Sequence, residues 1–537
     1  MIRAFLAFAL CAGMAVPAQA DWHEASSEHF VVYADDSAKD VQRFAEMLER
    51  YHAAMSLITG RSTEPPSPSN RVTIFAVGSD RQIRKLAGGS KTIAGFYIPR
   101  AGASRAFVPD IRLRGRNTDF SMIVLLHEYA HHFLISSSRF AMPRWMSEGG
   151  AEFFASASFD KDGSMNIGKP AIHRAAELAY ARDVPLRELL DHELYEANRG
   201  KKYDAFYGRS WLLFHYLRFE ESRAGQLNAY WQAIREGQSS LEAAEMAFGD
   251  LDELEDELEN YSKARKMFNY RLPPERVPIG PVAVREVSEG LGEMLPIIIR
   301  SQRGVNKEEA AEVLVDAREV AAEYPGDAGV LAALAEAEYD AGNDAEAISA
   351  ADRAIAIDPS ITNSYVQKGY ALFRMAEDAD DQEAAYARAM EPFSALNGIE
   401  NDHPLPLVYY YRSFVYRGAE PNETARHALE RAAQLAPFDK SLWLNAAMMQ
   451  LREGKIAIAR SSLEPLANDP HGGGMAVMVQ RLIEALEDAP EGVPFDADLS
   501  FGDDEYDTPA DGDEPGDGAS GDVGDDEPVD PPAGDAG

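Results

Sequence analysis

The sequence predicts an α+β domain followed by an all-α solenoid and a disordered acidic tail. Three observations lead there. Short β-rich runs give way to helical periodicity over the first half of the chain, without βα alternation. After about residue 306 a 34-residue pattern of small and aromatic residues recurs. Residues 490–537 then hold 17 Asp/Glu and no Lys or Arg, among many Gly and Pro. The 537 residues argue for more than one domain, and 45% hydrophobic content is enough for an ordinary core. With 52 Lys+Arg against 89 Asp+Glu the net charge is −37, which argues against nucleic-acid binding, since that needs a basic face.

The elements follow in order. His29–Tyr33 reads as a strand, and 36–58 as a helix with Val41, Phe44, Leu48, Tyr51 and Met55 on one side. Gly60 and three prolines (Pro65, Pro66, Pro68) make a loop. Val72–Val77 is a second strand, Asp80–Leu86 a short helix, and Gly95–Ile98 and Arg105–Val108 two more strands. Asn117-Thr118-Asp119 opens a strongly apolar helix, Phe120–Ile135, and a second helix runs through Trp145–Ala157. Helical segments follow at Ile172–Ala181, Pro185–Leu190, Phe206–Phe219, Leu227–Glu236 and Leu241–Met246.

The Pro-rich stretch from Leu272 to Pro281 marks a boundary. Beyond it Leu331, Leu334, Tyr339, Gly342, Ala347, Ala354 and Pro359 occupy tetratricopeptide positions in one window. Tyr365, Gly369, Leu372 and Phe373 repeat them, as do Ala425, Ala432 and Pro437, then Gly454, Ala459 and Pro470. Small residues recur where the two helices of a unit cross, and Pro closes each second helix. Residues 380–403 are atypical.

At the start, Arg3, an apolar run from Ala4 to Val16 and Ala18-Gln19-Ala20 read as a cleavable export signal, too short to anchor in a bilayer. Cleavage after Ala20 removes Cys11, the single cysteine, so the mature chain is held without disulfides. The expected location is periplasmic or secreted, with no membrane span in the mature chain. The expected organisation is a signal at 1–20, a first domain at 21–265, a linker at 266–305, repeats at 306–480 and the tail at 485–537. The tail cannot bury enough apolar surface to order itself, and its DGDEPGDG matches no calcium-loop spacing.

His127-Glu128-Tyr129-Ala130-His131 is HExxH on the apolar helix. Residues i and i+4 face the same way, so both imidazoles can grip one Zn²⁺. Glu128 lies about 100° round the helix, within reach of a metal-activated water as general base. Beyond a turn comes PRWMSEGGAEFFA, where Glu148, 17 residues after His131, is placed to fold back as third ligand. Glu152, one turn on, is placed to accept the free N–H of a ligating imidazole. His132 points elsewhere and is assigned no role.

HEYAHHF followed by PRWMSEGGAEFFA resembles the gluzincin metallopeptidases, and more closely their bacterial peptidase MA-like branch. SEHFVVY, YGRSWLLFHYL and REGQSSLEAAEMAFGDLDELEDELENY carry that likeness across residues 21–265. The resemblance implies a zincin-like fold, Zn²⁺ on His127, His131 and Glu148, and Glu128 as base. It also implies a downstream group that stabilises the oxyanion: Tyr207 is the choice, with Tyr203 and His215 as alternates. Arg105–Val108 is expected to be the edge strand that pairs with an extended substrate. Periplasmic chaperone-proteases that combine HExxH with tetratricopeptides take their third Glu much farther downstream, and Glu148 sets this chain apart from them.

The expected function is an exported zinc peptidase, with peptide or protein as substrate and repeats that recruit substrate or a protein partner. The competing expectation is a catalytically idle domain on a scaffold whose repeats mediate protein interaction.

Overall fold

The computed structural model describes residues 22–61, 65–87, 95–111, 119–138, 142–200, 203–468 and 473–495. The expected export signal, and the tail beyond residue 495, lie outside the described residues.

The first domain opens with β1 (Trp22–Ser26), β2 (Phe30–Asp35), α1 (Ala38–Thr59), β3 (Val72–Ala76), α2 (Asp80–Leu86), β4 (Phe96–Ile98) and β5 (Arg105–Val108). Helices α3 (Phe120–Ser136) and α4 (Arg144–Ala155) follow, then β6 (Ser158–Phe159) and β7 (Met165–Ile167). A helical run comes next: α5 (Ala175–Tyr180), α6 (Leu186–Leu190), α7 (His192–Asn198), α8 (Phe206–Phe219), α9 (Gln226–Arg235), α10 (Ser240–Phe248) and α11 (Leu251–Ser262). Two strands, β8 (Tyr270–Leu272) and β9 (Ala283–Glu286), close the domain.

The main sheet has the order β4-β5-β3-β2-β1-β9. β2 runs parallel to β3 and β3 to β5, while the other pairs are antiparallel. This corrects the expectation of no βα alternation, because α1 is a crossover helix that carries the chain from β2 back to a parallel β3. It also corrects the edge assignment: β5 is internal, and β4, laid antiparallel on it, is the edge.

Period-2 alternation divides the sheet between two cores. Phe30, Val32, Ala34, Val72, Ile74, Ala106 and Val108 face α1, α3 and α4. Phe75 and Phe107 face the other way and meet Leu295 and Ile299 of α12 (Glu289–Gln302). The stretch expected to be a linker therefore belongs to the fold: β9 pairs with β1, β8 pairs with β7, and α12 covers a sheet face. β9 (AVRE) is exposed except at half-buried Val284, so it shows no apolar alternation to read beforehand.

The all-α part is a tetratricopeptide-like solenoid. It comprises α13 (Lys307–Glu323), α14 (Ala328–Asp340), α15 (Asp344–Ile357), α16 (Thr362–Glu377), α17 (Gln382–Ile399), α18 (Pro404–Val415), α19 (Glu423–Leu435), α20 (Lys440–Arg452), α21 (Ile456–Ala467) and α22 (Gly473–Ala485). The starts of α14 and α16 are 34 residues apart. The next step is longer because α17 has 18 residues with Pro392 inside it. Ordered structure runs past the expected tail boundary at 485: the Phe495 amide donates to the Leu451 carbonyl (2.9 Å), and its side chain packs against the apolar cluster around α20–α22. No helix among the described residues is long and apolar enough to cross a membrane.

Candidate metal centre

Asp119 caps α3 by accepting the Met122 amide at 2.9 Å, and α1 holds the middle of α3 through the Tyr51 hydroxyl, which donates to the Leu126 carbonyl at 3.0 Å. One turn apart on α3, His127 and His131 bring their Nε2 atoms to 3.1 Å. Helix α4 packs across α3, and its Glu148 Oε2 lies 3.4 Å from His127 Nε2 and 3.3 Å from His131 Nε2. Bonds of ~2.0–2.2 Å to a tetrahedral Zn²⁺ set neighbouring ligand atoms about 3.3–3.5 Å apart. The three donor atoms thus already stand at nearly those separations. Two imidazoles and a carboxylate suit Zn²⁺ or another first-row transition ion and not an oxygen-seeking Ca²⁺ or Mg²⁺. The residues fit the metal that the sequence motif implies.

A second layer holds the imidazoles. Glu152 Oε1 lies 3.2 Å from His127 Nδ1, and Ser147 Oγ 3.2 Å from His131 Nδ1. Glu152 is itself anchored, by Arg174 Nη2 at 2.7 Å and His173 Nε2 at 2.6 Å. Arg174 reaches on to Glu177 at 3.2 Å, which accepts the Tyr203 hydroxyl at 2.9 Å. Burial pushes the Glu152 carboxyl up, but Arg174, His127 and His173 together hold it well below the usual carboxylate range. Burial likewise works against a charged His127, yet Glu148 and Glu152 keep its pKa well above the ordinary imidazole value.

Helix α8 reaches the site because α4 carries glycine where the two helices touch. A Cβ on Gly149 would sit 2.4 Å from the Ser210 carbonyl oxygen. Tyr207, at the start of α8, is half-buried; the Arg174 guanidinium lies over its ring at 4.7 Å, and it hydrogen-bonds Arg144, which also feels the Glu148 charge. Tyr207 therefore borders the ligand cluster. Of the alternates, Tyr203 is committed to Glu177. His215 is fully buried, with Nε2 shared between the Gly168 and Phe268 carbonyls (2.9 and 3.1 Å) and Nδ1 bonded to the Tyr261 hydroxyl (2.8 Å). Burial pushes its pKa down to about 4, and it is a core histidine.

Glu128 is half-buried, and its charge raises the pKa of Tyr97 on β4, a shift caused first by burial. The same face of α3 carries His132, whose Nδ1 is 2.6 Å from the Tyr97 hydroxyl. Sequence reasoning missed Ser147, His173, Arg174, Arg144 and Tyr97. The one signal was indirect: a buried Glu152 requires countercharge, and His173-Arg174 is the pair that supplies it.

Neither a family model nor any curated protein matches the chain. Among solved structures, it is similar to TTC0263, a thermophilic TPR protein of Thermus thermophilus, at 15% identity over 33% of this chain and 91% of that one, with a TM-score of 0.28. A MamA fragment from Desulfovibrio magneticus is 16% identical over 37% and 98%, with a TM-score of 0.27. Yeast Tom70 is 14% identical over 56% and 63%, with a TM-score of 0.26.

Proposed function

We propose that the chain is an exported zinc-dependent metallopeptidase of the gluzincin type, with Zn²⁺ held by His127, His131 and Glu148. The observation that carries this reading is the triangle of donor atoms, with edges of 3.1, 3.3 and 3.4 Å, from an HExxH helix and a following helix. The metal would supply Lewis acidity at the scissile carbonyl and lower the pKa of a water to ~7. The Glu128 carboxylate takes the proton of the attacking water and delivers it to the departing amide nitrogen. Glu152 and Ser147 orient the imidazoles, and Tyr207, with Arg144 beside it, donates a hydrogen bond to the developing oxyanion.

The test has two parts. Glu128→Gln should retain zinc, measured by mass spectrometry, and lose chelator-sensitive cleavage of a peptide library; Glu148→Ala should lose zinc. Robust cleavage by Glu128→Gln, or full zinc occupancy in Glu148→Ala, overturns the assignment.

A second reading is a scaffold whose first domain is idle and whose repeats bind proteins. The repeat array itself favours it, since stacked helix pairs form a surface suited to protein segments. Wild-type protein that binds zinc and cleaves nothing in the library would favour this reading.

A further inference from the structure

In repeat arrays of this kind, the face shared by the first helices of successive pairs is the surface that takes extended segments. Here those helices are α14, α16, α18 and α20, and a segment of the same chain lies against α14 and the starts of α18 and α20. It is the turn joining β4 to β5, residues 99–104. The Ala101 amide donates to Asp439 Oδ2 at the start of α20 (2.9 Å), and the Ala101 side chain is buried among Val408, Leu442 and Phe438. Gly102 sits at φ +72°, where a Cβ would come 2.8 Å from His403 Cε1. Arg105, at the end of the turn, places its guanidinium 3.7 Å from Glu336 of α14.

A second contact secures the first. Asn70 accepts the Gly102 amide (2.8 Å) and donates to the Leu435 carbonyl (3.1 Å), while Ser69 gives its amide and hydroxyl to the Glu400 carboxylate (3.0 and 2.8 Å). The array also touches α3: the Phe438 ring packs at 4.5 Å on His132, whose Nδ1 is bonded by the Tyr97 hydroxyl of β4.

We propose that this face of the array has residues 99–105 of its own chain as its partner, and that it serves as a clamp setting β4 against the Glu128–His132 face of α3. The array is then a positioning element of the site, because the edge strand beside the base is held through the repeats. The clamp rests on geometry alone and stands whether or not the site hydrolyses peptides.

The test uses the metal-free full chain and hydrogen–deuterium exchange, so its outcome is independent of zinc or cleavage. Gly102→Val loads the turn twice, by straining its left-handed backbone and by driving a Cβ against His403. Amides of 95–105 should exchange at least tenfold faster, those of α3 severalfold faster, and α14–α20 should keep their protection. Loss of protection throughout α14–α20 would mean a folding defect, in which case the milder Glu336→Gln decides: it removes the charge facing Arg105 and should speed exchange in 99–105 about threefold. The clamp is rejected if the turn loosens while α3 and β4 keep wild-type protection, or if neither variant changes exchange in the turn.

Discussion

Removing Glu152 tests whether its contact with His127 acts on the proposed metal or only on the fold. The carboxylate is 1% exposed and meets three groups: His127 Nδ1, His173 Nε2 and Arg174 Nη2. Glu152→Gln preserves much of that pattern, since its amide oxygen can face His127 and Arg174 while its NH₂ donates to His173. What it removes is the negative charge that raises ligand basicity. Glu152→Ala removes orientation as well. Second-layer partners are typically worth 10–100-fold in metal affinity, or about 1.4–2.7 kcal/mol. The Gln variant should weaken zinc near the lower figure and the Ala variant near the upper. Breaking a buried pair costs about 3–5 kcal/mol when the remaining charge is stranded. Here Glu177, 3.2 Å from Arg174, retains part of the pairing, so the stability loss of Glu152→Ala should fall below that range. Zinc titration against a competing chelator gives the affinity, and urea unfolding of the metal-free protein gives the stability. If Glu152→Ala binds zinc as tightly as wild type, the orienting role is refuted, whatever happens to stability.

Two further outcomes concern the frame. Gly149→Ala should destabilise by at least ~2 kcal/mol, because its Cβ meets a backbone carbonyl of α8 that cannot turn aside; Gly150→Ala meets only the Leu134 and Phe214 side chains at 3.3 Å or more, and should cost much less in the same urea titration. Equal costs would show that α8 is not seated by the glycine. In the array, burial and the neighbouring Glu336 raise Asp340 from its ordinary 3.8 to about 7. The folded state therefore binds the proton more tightly than the unfolded chain. Its stability at this position is full below about pH 4 and is lost as pH rises through 7. At about 1.4 kcal/mol per tenfold change in proton affinity, the loss is up to roughly 4 kcal/mol. Asp340→Asn should raise the melting temperature at pH 8 and leave it nearly unchanged at pH 4; no gain at pH 8 would contradict the buried acid pair.

The sequence was most legible where chemistry is local. His127 and His131 are one turn apart, Glu148 and Glu152 one turn apart on the next helix, and helical period alone puts each pair on one side. The 34-residue recurrence was plain from α14 to α16, where successive units repeat one packing requirement, and it breaks at the long helix α17. The edge strand was misjudged because the edge role was taken from the family resemblance, and pairing order is not written in either short run. The contacts of Asn70 with Leu435 and of Ser69 with Glu400 join residues more than 300 apart, and each taken alone is an ordinary loop or helix-end residue. His215 misled for the opposite reason: its type suggested chemistry, and only the two carbonyls and the tyrosine around it reveal a structural role.

Helix α4 is the part of the sequence that the proposed metal site explains best. Every residue from Trp145 to Ala155 is buried. A helix covered on all sides is ordinarily apolar throughout, yet this one carries Ser147, Glu148, Gly149, Gly150 and Glu152. Two glycines inside a helix cost about 1 kcal/mol each relative to alanine, and buried ion pairs are seldom more stable than well-packed hydrophobic residues of the same volume. Packing against α8 explains Gly149, but it does not explain two buried glutamates and a serine. The glycines make room for α8, which carries Tyr207; the glutamates and Ser147 turn towards the two imidazoles; and His173, Arg174 and Arg144 are gathered from other segments to balance the acids. A buried carboxylate facing two imidazoles at the spacing of metal ligands is costly as a structural device, and the proposed cation is what would offset that cost.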